Sequence, residues 1–467
     1  MAQRTKVSVS SHVQSECQAL DGSAGLPFQH LLSGQRVVAA LERAGIEYRD
    51  RIYTPLITLW AFLSQVVAGK DPSCEAAVSR VLVERVARGQ PACSPDTSSY
   101  CEARSRLPEQ VFVELTRETG RELHRETLPQ WLWHGRRVVI VDGSTATMSD
   151  TQHNQEAYPQ SSGQRAGLGF PILRFVVLLS LSVGTVLECA TGPCRGKRTG
   201  EQSLFRGTWD ALEGGEIVLG DRLYDAYRDI ALLKRRGIDC VFGKKQSRHL
   251  DFRSGRKLGC DDHVVVWKKP GYDATRYESR QEWESLPGEI TIREVRVTVR
   301  RPGYRTRTVV IVTTLIDEHA YSSQDLTDLF AERWHCELDL RSIKRSLGMH
   351  HLRCKTPAMV RRELWTHLLA YNLIRIRMAQ AAAVHELTPR TLSFTAAKTH
   401  MQSFAAQSLA RSPTEYHRLE TELLRAIARC RLSRRSGRKE PRAVKKRQQK
   451  YSFLTKPRAQ ARKGLAA

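Results

Sequence analysis

The sequence predicts an α/β fold built in several parts, and three observations predict it. Helix-start signals recur through the first third of the chain and again after residue 323. Two short β-branched runs, 136–142 and 216–221, lie between them, and each ends on an aspartate. At 467 residues the chain exceeds one compact domain of the usual size, roughly 100 to 200 residues, so several units are expected. A composition of 41% hydrophobic and 26% charged residues is ordinary for a globular protein and excludes wholesale disorder.

The charge balance is less ordinary. Lys plus Arg number 74 against 49 Asp plus Glu, a formal net charge of +25, and so basic a surface suits a polyanion, most often nucleic acid. Residues 431–467 hold 14 of the basic residues and one acid, Glu440, yet the rest of the chain is basic as well. The 11 cysteines include no C-x-x-C pair and read as reduced thiols, which points to the cytoplasm. No apolar stretch of a signal peptide follows Met1. Residues 52–69 run for 18 positions without a charge, but Thr54 and Pro55 supply a cap and a first-turn proline, so a buried helix is expected and no membrane span.

Taken in order, residues 1–130 read as a helical DNA-binding region. Asp71-Pro72 starts a helix that stops at Gly89, and Ser94-Pro95-Asp96 starts another through Leu107. On the latter, Arg104 and Arg106 are candidate phosphate contacts, with a plain solvated face as the alternative. From 131 to 245 the period changes. The run 136–142 is a buried strand ending on Asp142, residues 174–182 and 185–190 flank the hairpin signal Val183-Gly184, and 200–212 has helical spacing. A second buried strand ends on Asp221, followed by a helix over 226–236 and a strand over 240–243. Strand-strand-strand-helix-strand-helix-strand, with carboxylates at the ends of strands one and four, is the ribonuclease H-like arrangement. Strands one and four are sheet neighbours in it, so Asp142 and Asp221 should meet, and a divalent cation is the usual relief for two carboxylates held close.

Residues 246–322 turn to β pattern and read as an insertion, and 323–380 return to helical spacing, with a break at Gly348 and a fresh start at Thr356-Pro357. Residues 381–467 complete the chain as a helical segment and the basic tail. A third acid is expected from the helix after the insertion, where Glu332, Glu337 and Asp339 are available. Arg333, Glu337 and Lys344 fall on one stripe of a continuous helix, which suits an acid that binds metal beside cations that bind phosphate. An ordinary ion-pair ladder is the alternative.

These motifs together resemble the DDE transposases of bacterial insertion sequences, in the group with a Tyr-x2-Arg-x3-Glu-x6-Lys signature. Here it reads Phe330-x2-Arg333-x3-Glu337-x6-Lys344. The neighbouring segments 141–145 (VDGST), 195–201 (RGKRTGE), 220–224 (GDRLY) and 352–357 (LRCKTP) resemble the family too, and the likeness covers about residues 50 to 380. It implies a ribonuclease H-like catalytic core with a β-strand insertion, and Asp142, Asp221 and Glu337 as catalytic residues and ligands of Mg2+ or Mn2+, with two ions per site. It implies that Arg333, Lys344 and Arg222 hold DNA. Phe330 replaces the signature tyrosine, so a phenolic contact to DNA is lost while an aromatic ring remains.

Relatives can stack an insertion tryptophan on a flipped base, and Trp267 and Trp283 are the candidates here, with packing in the sheet as the alternative. The implied activity is metal-dependent cleavage at transposon ends, then strand transfer of the freed 3′ hydroxyl into target DNA. The partners are then double-stranded DNA, as terminal inverted repeats and target, and a second copy of the chain in the end complex. No phosphate-binding loop is present in the sequence, and no nucleotide cofactor is expected. A structure-selective nuclease on the same acids, or a DNA-binding regulator without catalysis, are the alternatives.

Overall fold

The computed structural model describes residues 31–45, 51–68, 72–246, 249–274, 279–299, 307–407, 412–432 and 452–463. The helical lead comprises α1 (Gly34–Arg43), α2 (Pro55–Val67), α3 (Cys74–Ala87), α4 (Ser98–Arg106) and α5 (Glu109–Arg125). The Thr54 hydroxyl accepts the Ile57 N–H at 3.3 Å and Pro55 fills the first turn of α2, as the sequence predicts. That helix buries Leu56, Leu59, Trp60, Phe62 and Leu63, which accounts for its uncharged run. Two helix starts fall later than predicted. The cap of α3 is Ser73, which accepts the Ala76 N–H at 3.1 Å, and Asp71 lies outside the described residues. Helix α4 begins at Ser98, because the Asp96 carboxylate is engaged in an Asx turn with the Ser98 N–H at 2.6 Å. Among the described residues, no helix is long and apolar enough to cross a membrane.

The centre of the chain is a large mixed sheet. Its first part runs β1 (Val138–Met148), α6 (Gln152–Ala157), β2 (Ile172–Ser180), β3 (Val186–Pro193), α7 (Glu201–Arg206), β4 (Ile217–Gly220), α8 (Tyr227–Arg235) and β5 (Asp239–Gly243). Gly184, at φ +81°, takes the left-handed backbone that the β2–β3 turn requires. The insertion follows as β6 (Arg256–Gly259), β7 (Asp262–Lys268), α9 (Arg280–Ser285), β8 (Glu289–Val299) and β9 (Arg307–Thr313). The strand order is β3-β2-β1-β4-β5-β9-β8-β7-β6. Strands β1 and β4 are parallel neighbours, and β9 lies antiparallel to β5 with Phe242 opposite Val312, so the insertion continues the same sheet past its β5 edge.

Alternation along β1 explains the two apolar layers. Val138 and Ile140 face the layer that holds Phe175, Val177 and the long helix described next, while Val139 and Val141 face Phe205, Trp209 and Ile230. After the insertion come α10 (Ser323–Glu332), α11 (Trp334–Arg341), a π-helical turn (Ser342–Ser346), β10 (His351–Leu352), α12 (Pro357–Val384), α13 (Phe394–Gln407), α14 (Pro413–Arg429) and α15 (Arg458–Lys463). The break at Gly348 and the start at Pro357 match the sequence prediction. The continuous helix expected through Lys344 does not form. Arg333 is both the C-cap of α10 and the N-cap of α11, and the π turn widens the spacing before Lys344, so Arg333, Glu337 and Lys344 do not ride one unbroken stripe.

Candidate active site

Two carboxylates stand at one sheet edge where β1 and β4 run side by side. Ile140 is registered with Leu219, and Asp142 and Asp221 each follow two positions later, so the parallel pairing carries both acids to the same edge. Asp142 accepts its neighbour's N–H, from Gly143, at 2.8 Å, and Asp221 accepts the Leu223 N–H at 2.7 Å. Burial pushes the Asp142 carboxyl up to about 6; the Gly143 N–H and Arg333 pull it down, and Asp221 and Glu201 push it further up.

Helix α11 packs on β1 and brings the third acid. Glu337 is partly exposed and its carboxylate takes the Arg333 guanidinium at 3.3 Å. The other two acids weighed from the sequence are engaged elsewhere. Asp339 is fully buried between Arg375 and Arg390, and Glu332 pairs with His335 at 2.6 Å. Lys344 reaches the same strand from the π turn. Its ammonium donates to the Ser144 hydroxyl at 3.0 Å, two residues beyond Asp142, and burial draws its pKa down. Phe330 lies against the core at the end of β5, with its ring tip 3.4 Å from the point a Gly243 side chain would occupy. Arg222 is exposed beside Asp221.

A fourth carboxylate stands here that the predicted set leaves out. Glu201 opens α7, and its carboxyl carbon lies 2.5 Å from where a Cβ on Gly143 would be. Burial pushes its pKa up, Arg174 opposes this, and Asp221 adds to the rise. The segment 195–201 marks the position, but nothing in linear spacing says that α7 folds back over β1. Among the described residues, no three His, Cys, Asp or Glu groups are drawn together tightly enough to hold a metal ion. Asp142, Asp221 and Glu201 act on one another electrostatically without having converged.

Of the four side chains weighed as DNA or base contacts, Arg104, Trp267 and Trp283 are packed against other groups and Arg106 is open. Arg104 is packed over the Phe62 and Tyr100 rings, 4.7 and 5.4 Å from their centroids, and donates to Gln65 at 3.0 Å, so it is a packing residue and not an open phosphate contact. Arg106 on the same helix is exposed, 3.6 Å from Glu102. Trp267 is buried in the apolar layer with its indole N–H on Glu294 at 3.0 Å, which leaves its ring no free face for a base. Trp283 is half-buried, its N–H on the Pro270 carbonyl at 2.9 Å and Lys269 4.2 Å over the ring.

Residues 133–373 match the family model described as Transposase DDE domain. Over 424 residues the chain is 26% identical to "Transposase InsG for insertion sequence element IS4" of Escherichia coli (strain K12), covering 89% of this chain and 90% of that protein. It is 23% identical over 141 residues to "Putative transposase InsZ" of the same strain, 30% of this chain and 46% of that one. Among solved structures, a piggyBac transposase synaptic complex with hairpin DNA, determined by cryo-EM, is similar at a TM-score of 0.43 and 10% identity, covering 86% of this chain and 84% of that one.

Proposed function

The chain belongs to the transposase DDE domain family, and from that premise we propose that it cuts DNA at the ends of an insertion sequence and joins the freed 3′ hydroxyl to target DNA. The observation that carries this is the pairing of β1 with β4, which sets Asp142 and Asp221 at one sheet edge with Glu337 on the helix packed across it. The strand order β3-β2-β1-β4-β5 supports a ribonuclease H-like core.

Asp142, Asp221 and Glu337 would hold Mg2+ or Mn2+. The chemistry of the donor set fits: all its atoms are hard oxygens, and the buried Asp142 feels the charge of Asp221, which a divalent cation would offset. The chemistry that two such cations would supply, if held there, is activation of a water and stabilisation of charge on the leaving 3′ oxygen. The chain's own groups do the rest. Arg333 holds the Glu337 carboxylate, and Ser144 accepts from Lys344, so that both cations stand beside the acids where phosphate oxygens of a bound strand would be neutralised. Arg222 and Arg106 are exposed and add to the grip on the duplex, and two copies of the chain hold the two element ends.

Incubation of the purified chain with Mg2+ and a plasmid carrying candidate terminal repeats, followed by sequencing of the joints, tests this. Asp142→Asn, Asp221→Asn and Glu337→Gln should each remove cleavage and leave duplex binding intact, and in combination their losses should not add. Cleavage at the wild-type rate by Asp221→Asn would overturn the assignment, and cut but never joined DNA from the wild type would leave a nuclease.

A further inference from the structure

We infer that Glu201 is a fourth oxygen ligand of the site, closing over Gly143 onto a divalent cation held between Asp142 and Asp221. The inference rests on the functional reading above and deepens it.

The placement of Glu201 follows from how α7 is docked. Phe205, one turn further along the helix, sets its ring edge-on to Tyr224 with centroids 5.1 Å apart, and Trp209 packs against Phe205 at 5.6 Å. Gln202 donates to the Leu223 carbonyl at 2.5 Å, which ties the helix to the segment that follows Asp221. On the other side, Arg174 of β2 holds the Thr199 carbonyl at 2.9 Å and fixes the approach to the helix. With Phe205 anchored, the residue four positions earlier shares its face. That residue is Glu201, and it lands over Gly143, where only the absence of a side chain leaves room: a Cβ there would meet the Glu201 carboxyl carbon at 2.5 Å and one of its oxygens at 2.7 Å. Among the described residues the Glu201 carboxylate has no hydrogen-bond or ion-pair partner within bonding distance, although it is half-buried.

A second observation points to a ligand at the same spot. Tyr224 is fully buried, its hydroxyl has no hydrogen-bond partner among the described residues, and the groups that act on it electrostatically include Asp142, Glu201 and Asp221. The Nε of Arg174 is likewise buried and without a partner among the described residues. Native proteins rarely leave such donors unmet. A buried phenol within electrostatic reach of these carboxylates is a donor that a ligating oxygen or a cation's bound water could accept from.

The test is Mn2+ binding to the full chain without DNA, read from loss of the free-ion EPR signal, with Mg2+ as competitor. Glu201→Gln preserves shape and removes the charge, and is expected to weaken Mn2+ binding at least tenfold with an unchanged circular dichroism spectrum. Gly143→Ala is a second route to the same end: the three atoms nearest its methyl group all belong to the flexible Glu201 side chain, so the strand should fold while the carboxylate is pushed off the site. Wild-type Mn2+ binding by Glu201→Gln, with binding weakened in Asp221→Asn, would overturn the role of Glu201 and leave the functional reading standing. Wild-type binding in both Asp142→Asn and Asp221→Asn would overturn that reading and this one together.

Discussion

Replacement of Asp339 by Asn isolates the device that holds Glu337 in place. Asp339 is fully buried on α11, two residues beyond Glu337, and both its oxygens are taken by guanidinium groups. Arg390 donates to its Oδ1 and Oδ2 at 2.9 and 2.7 Å, and Arg375 of α12 donates to Oδ1. In Asp339→Asn one oxygen becomes an amide that turns donors toward donors, and two buried guanidinium groups lose their counter-charge. Removal of one partner from a buried ion pair costs about 3 to 5 kcal/mol. The lower part of that range is expected, because Arg390 keeps the Ser180 carbonyl at 2.7 Å and Arg375 keeps the Tyr371 hydroxyl at 2.8 Å. A loss of about 3 kcal/mol shifts the unfolding equilibrium by roughly two powers of ten. Denaturant unfolding followed by tryptophan fluorescence reads it, with Asp210→Asn as control, since Asp210 is 97% exposed and 3.5 Å from Arg236. Burial alone would raise the Asp339 pKa, but Arg390 and Arg375 hold it below the ordinary aspartate range. A depressed folded-state pKa gives stability that is fully present above the unfolded value, about 3.9, and is lost as pH falls through the folded one. The gap between the wild type and Asp339→Asn should therefore be flat from pH 5 to 8 and narrow only in stronger acid. A gap under about 1 kcal/mol at pH 7, matching the control, would refute the account of α11 as anchored through Asp339.

Three further outcomes are expected. Arg104→Ala should lower stability by about 1 to 3 kcal/mol through lost ring contacts and the Gln65 hydrogen bond while leaving duplex affinity nearly unchanged; a melting curve and a filter-binding assay on the same variant decide it, and a wild-type melt with weaker binding would restore Arg104 as a DNA contact. Lys344→Ala, Ser144→Ala and Arg333→Lys should each lower the ratio of joined to nicked product more than they lower nicking, because each loosens a cation beside the acids; unchanged ratios in all three would make these contacts structural only. Truncation after Leu432 should flatten the dependence of log affinity on log salt for any duplex while preference for the element's ends survives. The cut belongs there because the Leu432 N–H donates to the Thr391 carbonyl at 2.7 Å and Arg431 bridges to Leu392; loss of end preference with an unchanged slope would exchange the two roles.

Much of the site was legible because it depends on local pattern. A β-branched run that stops on an acid says where a strand ends, and two such runs with the right elements between them say which strands pair. Thr54-Pro55 and Thr356-Pro357 announce their helices for equally local reasons. What escaped was set by tertiary contacts. Periodicity cannot show that Arg333 interrupts a helix or that one π turn follows Arg341, since both sequences remain good helix formers. Arg104 carries a charge that reads as exposed, and only the ring of Phe62, from a helix far earlier in the chain, reveals it as packing. Glu201 lies in a recognisable segment, yet its meeting with Gly143 depends on the docking of Phe205 on Tyr224.

Helix α12 has a mechanical consequence. Its 28 residues span about 42 Å at the usual rise, and along that length it touches α2 and α5 of the helical lead, strands β3 and β10 of the sheet region, and α13 and α14 beyond. It works as a beam that packs against both the lead helices and the sheet region, so one continuous run of helical backbone joins them. A single residue added in its middle would turn one packed end against the other by about 100° and push them about 1.5 Å apart.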